Sequence, residues 1–432
     1  MQKISRRKFL KQTSLAAALA TIQILPSRLL GRGGIAPSGR VNFGIIGNGC
    51  ISFIHRRFYS KHPLSQVIAV CDVHKGRLEN AKNEVERITK ERTDVGFKPV
   101  DTYKYYQELI DRNDIDAVVV TTPDHWHVAI ALYAIQKGKA VFVEKPMSLT
   151  VEEGRILADA VAKKRGILQV GTQQRSERAF RRAAELVLNG YIGNVKQIDT
   201  QIGVFPAPPK DIMVEHPIPE GFDYDLWLGQ TPYYPYHPFR VLGDWSKGWR
   251  CFYDYGQLKD GDWGAHHFDI IQWALGMDNS GPTDFYPENS DGSPYRHFRY
   301  ANGTTVYVNA PVPNKHMIRF IGDEGEIFVS RNDRLDTTPS VLKNMPLKSS
   351  DKRLVVSNNH YLDFLNAIVK GTPNVSPAEI GHRSATVCQL LSIARRTNSH
   401  VKWNPETEKV INNPKAEAML SRPRRAPYFL GA

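Results

Sequence analysis

The sequence predicts a two-domain α/β chain whose first domain is a doubly wound parallel sheet. Three observations predict it. The apolar run 41–46 passes directly into Gly47-Asn48-Gly49-Cys50-Ile51-Ser52 and a helical stretch. Further apolar strands and helices alternate at short spacing, as a parallel sheet with crossover helices requires. The 432 residues, less about 40 at the front, suffice for two domains that each bury a core.

Residues 1–40 read as a targeting segment and linker. Arg6-Arg7 precede an apolar stretch over 15–25 that holds Gln23 and ends at Pro26, and no acidic residue occurs before Asp72. That stretch is far short of the roughly 20 residues a spanning helix needs, so no membrane span is expected. Ser5-Arg6-Arg7-Lys8-Phe9-Leu10 resembles a twin-arginine export signal. The resemblance implies a periplasmic protein and the twin-arginine export machinery as a partner. Because that route carries folded cargo, a cofactor can travel inside the protein.

The first domain is expected over 41–166. Gly47 permits the tight turn after the first strand, and Gly49 lets the backbone approach a pyrophosphate at the helix N-terminus. Ser52 takes the place of a third glycine. The strand 66–71 ends in Asp72, where a carboxylate bonds an adenosine ribose and repels a 2′-phosphate. NAD is thus expected over NADP, with His74 and Arg77 leaving NADP open. The strand 115–120 runs into Thr121-Thr122-Pro123-Asp124-His125-Trp126-His127, and 140–143 delivers Glu144-Lys145-Pro146. Ligands of such sheets bind beyond the carboxyl ends of the strands, which is where these segments gather.

Gly47-x-Gly49, Asp72, Thr122-Pro123-Asp124, His127 and Glu144-Lys145-Pro146 together resemble the Gfo/Idh/MocA family, named for glucose-fructose oxidoreductase and inositol dehydrogenase. The resemblance implies an NAD cofactor held by Gly47, Asn48, Gly49, Cys50, Ile51, Asp72, Thr122, Pro123, Asp124, His127, Glu144, Lys145 and Gln173. It implies an α+β domain over 167–411 with an open, mostly antiparallel sheet, and a homo-oligomer formed through that sheet. Residues 167–175 would open this domain as a strand, with Arg175 near substrate or cofactor, or else in a surface salt bridge. The tail 412–432, bearing Pro and Arg, is expected to wrap a neighbour. Gly322-Asp323-Glu324-Gly325 reads as a hairpin turn, and apolar spacing predicts helices over 361–369 and 380–395.

Gly261-Asp262-Trp263-Gly264-Ala265-His266-His267-Phe268-Asp269 matches the family's catalytic pattern of an Asp, a His four later and an Asp three after that. By resemblance, Asp262 and His266 join Lys145 as the catalytic group, and Trp263, His267 and Arg175 join them against substrate. On a helix, residues four apart share a side. Oxidising a secondary alcohol requires removal of the hydroxyl proton as hydride leaves, and imidazole is the side chain whose ordinary pKa suits that near neutrality. Lys145 can stabilise the developing charge on the same oxygen. Adjacent His266 and His267 diverge by about 100° on a helix and make poor joint ligands, so no metal is expected.

Charge excludes one class. Of 57 Lys and Arg, eight lie in residues 1–40, which hold no Asp or Glu; the remainder carries 49 basic against 44 acidic residues. That near balance gives nucleic-acid binding no support. Cys50, Cys71, Cys251 and Cys388 are scattered without a Cys-x-x-Cys pair, against a zinc cluster or disulfide scaffold. Five of seven tryptophans fall between 222 and 273, where aromatic faces suit a sugar ring or, equally, pack on one another. Three functions follow. One is an exported dehydrogenase that oxidises a sugar or glycoside hydroxyl, at C3 of a hexose, and recycles a tightly held NAD internally. Another is a redox-neutral glycosidase that oxidises, eliminates, hydrates and reduces. The third is a non-catalytic carbohydrate-binding protein.

Overall fold

Apolar runs buried on both faces build the first sheet. In the computed structural model, which describes residues 39–92, 97–313 and 316–430, its strands are β1 (Val41–Ile46), β2 (Ser65–Cys71), β3 (Asp101–Tyr103), β4 (Ala117–Val120), β5 (Ala140–Val143) and β6 (Leu168–Val170). The Arg6-Arg7 signal lies outside the described residues. All six strands pair in parallel in the order β3-β2-β1-β4-β5-β6. Every residue of β4 and β5 is buried, as expected of strands covered by helices on both faces. The helices α1 (Ser52–Lys61), α2 (Lys75–Lys90), α3 (His127–Gln136) and α4 (Val151–Lys164) make the crossovers. Strand order reverses between β1 and β4, which opens a crevice at their carboxyl ends.

Two expectations change here. The edge strand β3 was not legible, being three largely exposed residues without an apolar run. The segment from Ile167 does not open the second domain: β6 pairs with β5, Leu168 against Val141, so it closes the first sheet. The crossover through α4 carries it there, as a parallel neighbour requires.

The second sheet has nine strands: β7 (Val195–Thr200), β8 (Asp284–Tyr286), β9 (His297–Arg299), β10 (Thr305–Val308), β11 (Met317–Gly322), β12 (Glu326–Ser330), β13 (Arg334–Thr338), β14 (Val401–Asn404) and β15 (Lys409–Ile411). Their order is β13-β12-β11-β7-β10-β9-β8-β14-β15, antiparallel except where β7 meets β10. The turn expected at 322–325 joins β11 to β12, with Gly322 N donating to Gly325 O at 2.9 Å. Helices α5 (Arg178–Leu188), α6 (Ala265–Ala274), α7 (His360–Lys370) and α8 (Ala378–Thr397) complete the fold. Phe180, Phe268 and Leu391 from α5, α6 and α8 share one core with Ile198, Ile318 and Phe320 of the sheet. Among the described residues, no helix is long and apolar enough to cross a membrane.

Later parts of the chain return to its first domain. Helix α7, capped by the Asn359 side chain and ended at left-handed Gly371, places Phe364 and Leu365 in the core formed by Phe43 and Phe142. The tail, expected to wrap a neighbour, packs on its own chain. Arg422 Nε bonds Glu153 Oε1 at 2.8 Å, and Arg425 pairs with Asp225 at 2.6 Å.

Arg175 is the clearest correction. It is 1% exposed, with Nε donating to Asp269 Oδ2 at 2.7 Å and Nη2 donating to Asp278 Oδ1 at 2.7 Å. Its guanidinium also lies 5.0 Å from the Trp273 ring. With its donors committed to two carboxylates, it is neither a substrate ligand nor a surface salt bridge. Removing one partner of a buried pair leaves the other charge uncompensated. Asp269→Ala is expected to lower stability by about 3–5 kcal/mol in a urea melt.

Candidate active site

One cavity of about 610 Å³ runs along the carboxyl ends of the first sheet and under the second domain. All thirteen residues expected to hold the cofactor line it, as do Asp262, Trp263 and His266. Arg175 and His267 do not.

At the dinucleotide turn, Gly47 has φ +82°, and a Cβ there would stand 2.7 Å from Thr122 N, so only glycine fits. A Cβ on Gly49 would meet nothing within 4 Å, leaving the backbone an open approach for a pyrophosphate. Ser52 fills the third glycine's place by packing fully buried, its hydroxyl donating to Gly49 O at 2.7 Å. Asn48 is held at both ends: Nδ2 donates to Cys71 O (2.9 Å) and Oδ1 accepts from Arg56 (3.1 Å). Asp72 accepts from Asn48 N (2.6 Å) and His74 N (2.9 Å), tying the turn to the end of β2.

The next two turns are stapled together. His127 places Nδ1 2.8 Å from Pro146 O and Nε2 3.0 Å from Thr122 O. Burial pushes its pKa down, so the ring is neutral and donates to one carbonyl at a time. Glu144, also buried, meets His55 Nε2 at 2.9 Å and accepts from Gln173 Nε2 at 3.2 Å. Burial pushes its pKa up, but the His55 hydrogen bond and the Lys145 charge outweigh this and hold it low. A Cβ on Gly171 would come within 2.7 Å of that carboxylate. Asp124 is pushed up to about 8 by burial, against the opposing charges of Lys145 and Arg250.

The two domains meet at Asp262. Lys145, joined to Pro146 by a cis peptide, donates from Nζ to Asp262 O at 2.7 Å and Oδ1 at 3.1 Å. Lys259 donates to Oδ2 at 2.8 Å, and Arg250 Nε stands 3.8 Å from Oδ1. Burial raises the Asp262 pKa, but these three cations win and bring it to about 2. Asp262 lies in a π-helical turn, Asp260–Gly264, that runs into α6, so the spacing read as one α-helix spans a change of helix type. His266 follows in α6. Burial first, then the charges of Arg331 and Lys145, drive its pKa well below the usual imidazole range, and its Nδ1 has no hydrogen-bond partner.

His267 turns away. Fully buried, it stacks 5.5 Å from Trp263, and neither ring nitrogen has a partner. Among the described residues, the His-containing group with metal-ligand proximity is elsewhere: Asp211, His216 and His237 bring ligand atoms within 4.8 Å of one another. There His237 Nδ1 already accepts from Phe239 N at 3.1 Å, which leaves Nε2 as the protonated nitrogen of the neutral ring.

The aromatic-rich segment divides between both expected roles. Tyr224, Trp227, Leu228, Tyr236 and Tyr255 pack into a small core, while Trp245, Trp249 and Trp263 line the cavity. Backbone bonds from Asp223 N to Val73 O and from Lys75 N to Gly221 O sew this segment to the first domain beside Asp72. Arg250, Arg331 and Tyr361 also line the cavity and were missed. None belongs to a spaced motif; the one available signal was Arg250 among Trp245, Trp249 and Trp263.

Residues 41–172 match the model described as "Oxidoreductase family, NAD-binding Rossmann fold". Residues 199–430 match "Oxidoreductase family, C-terminal alpha/beta domain". The chain belongs to the Gfo/Idh/MocA oxidoreductase family. Its first domain is accordingly an NAD-binding Rossmann domain, and the open approach over Gly49 fits that cofactor. Among curated relatives of this Gfo/Idh/MocA chain, "Glycosyl hydrolase family 109 protein 1" of Shewanella sp. (strain ANA-3) is 34% identical over 173 residues, 37% of each chain. "Alpha-N-acetylgalactosaminidase" of Shewanella oneidensis is 34% identical over 167 residues, 35% of this chain and 36% of that one. The matches therefore span little more than a third of those relatives. Among solved structures, the WlbA dehydrogenase of Bordetella pertussis, in complex with NADH and UDP-GlcNAcA, covers 84% of this chain and 99% of its own at TM-score 0.58 and 16% identity. Scyllo-inositol dehydrogenase of Lactobacillus casei, with NAD(H) and scyllo-inositol, covers the same shares at 0.55 and 18%. These likenesses describe the fold.

Asp124 gives a pH test. Its carboxyl stays protonated in the fold to about pH 8 and ionises near ~3.9 when unfolded. The fold therefore binds the extra proton, and stability is lost as pH rises from about 4 to about 8. Asp124→Asn should remove that slope, its stability advantage in urea melts growing by 1 kcal/mol or more (order of magnitude) between pH 5 and pH 8.

Proposed function

We propose that this chain oxidises a secondary hydroxyl of a sugar or glycoside, using an NAD that it retains and recycles. The convergence of Lys145, Asp262 and His266 on one cavity with the Gly47–Gly49 turn carries the proposal. NAD, when bound, supplies the hydride acceptor. Neutral His266 has a lone pair to take the hydroxyl proton. Lys145 spends two hydrogen bonds on Asp262, and an ammonium has three, so one is left for the substrate oxygen. Asp262, kept ionised by its three cations, fixes Lys145 in place. Trp245 and Trp249 line the cavity and offer apolar surface to a sugar ring.

A redox-neutral glycosidase is the second candidate, favoured by the glycosyl hydrolase names of the curated relatives. Oxidation at C3 acidifies the neighbouring C–H and permits loss of the aglycone, after which water adds and the carbonyl is reduced. The Arg6-Arg7 leader motivates an exported, periplasmic location for either enzyme. It also motivates retention, since NAD is loaded before export and not exchanged afterwards. The open second sheet is proposed as the surface of a homo-oligomer.

Denaturing the purified exported protein should release about one NAD per chain, identified by mass and absorbance. Lys145→Ala and His266→Ala should each lower turnover about 10²–10⁴-fold while that NAD content stays. Turnover that survives both changes would reject the catalytic assignment. On 4-nitrophenyl glycosides, nitrophenol release without net NADH identifies the glycosidase; a ketosugar accumulating with reduced cofactor or a reduced acceptor identifies the dehydrogenase.

A further inference from the structure

We propose that the substrate carries an oxyanion on its sugar, and that Arg331, standing on the face of Trp263, is the side chain that reads it. This rests on the proposed oxidation of a sugar hydroxyl at the same site. Arg331 follows β12 directly and lines the cavity with Lys145 and His266. Its guanidinium carbon is 4.4 Å from the Trp263 ring centroid, and His316 stacks on the same ring system at 3.6 Å. Trp263 is thereby a fixed shelf.

The hydrogen bonds of Arg331 leave its fork available. With the Gln174 amide nitrogen donating to His266 O at 2.9 Å, the Gln174 oxygen accepts from Arg331 Nε at 3.3 Å. Among the described residues, no carboxylate stands within 4.0 Å of its guanidinium. Glu177, Asp262 and Glu144 act on it through space only, and Glu177 accepts from Asn332 N–H. Other buried arginines are met: Arg175 by Asp269, Arg296 by Asp260, and Arg240 by the Ile212 carbonyl. A largely buried guanidinium that faces the cavity with no carboxylate in ion-pair contact can take one from the ligand, and its planar fork suits a carboxylate or a sulfate ester.

The cofactor's own phosphates do not explain this cation. The arginines whose contacts reach the dinucleotide turn are Arg56, with Nη1 3.1 Å from Asn48 Oδ1, and Arg250, with Nη2 3.9 Å from Cys50 Sγ. The contacts of Arg331 are with Trp263 and Gln174, and its charge acts on His266. It therefore serves the end where the hydroxyl is oxidised. Lys145, Lys259 and Arg250 share the single carboxylate of Asp262, so the surrounding field also favours an anion.

The test uses the full NAD-loaded chain and paired probes: methyl glucuronide against methyl glucoside, methyl galacturonide against methyl galactoside, and galactose 6-sulfate against galactose. Binding is read by calorimetry, with NAD content and melting temperature measured on the same preparations. At least one acidic probe should bind tenfold or more tightly than its neutral partner. Arg331→Gln should abolish that preference with melting temperature and NAD content kept. A carboxylate winner assigns an acidic sugar, a sulfate winner a sulfated one, and either supports the subsite. Neutral probes binding as well as acidic ones, no acidic probe binding, or a preference that survives Arg331→Gln overturns it. Lost NAD retention with the acid preference intact would instead overturn the retained-cofactor proposal and leave this one standing.

Discussion

The bond from Lys145 to Asp262 is the interaction on which the site depends. One partner follows a strand of the first sheet and the other sits at the centre of the π-helical turn before α6, so a single ammonium links the two domains' functional ends. A lysine this confined would be costly to hold without a counterion, and a carboxylate this buried would be costly to keep ionised without cations. Each makes the other tolerable. The same contact that docks the domains therefore sets the protonation of Asp262 and the orientation of Lys145.

Around that bridge, neutral and charged groups are sorted by burial. Burial holds His127 and His266 neutral and lets Asp124 keep its proton, while Asp262 and Glu144 stay ionised because specific partners meet them. The cavity is thus preset, with a neutral base beside a cationic hydrogen-bond donor. Little rearrangement of charge is needed when a hydroxyl is presented to it.

Much of this was legible because short-range chemistry wrote it. Glycines at 47 and 49, the Asp72 strand end and the Glu144-Lys145-Pro146 terminus are dictated by turn geometry and lie within a few residues of the strands that place them. Asp262 and His266 were assigned by resemblance to the family's catalytic pattern, their four-residue spacing adding only that they share a helix side. What the sequence hid depends on contacts across long separations. Arg175 looked like a site residue, and only the meeting of α6 with the segment after β6 shows its charge consumed by Asp269 and Asp278. Arg250 and Arg331 looked like ordinary basic residues until the fold set them around Asp262 and Trp263. The β6 segment misled because an apolar strand carries no mark of which sheet it will join.

The return of α7 to the first domain has a consequence for how the enzyme can move. Phe364 and Leu365 complete a core begun by Phe43, roughly three hundred residues earlier in the chain. The nucleotide half is thus no detachable module, since its hydrophobic interior stays open until nearly the whole polypeptide has been made. The two halves are also joined by more than one stretch of chain, which opposes the wide hinge opening available to domains on a single tether. The aromatic segment sewn beside Asp72 adds a further tie, so the cavity sits in a frame closed on several sides by one chain.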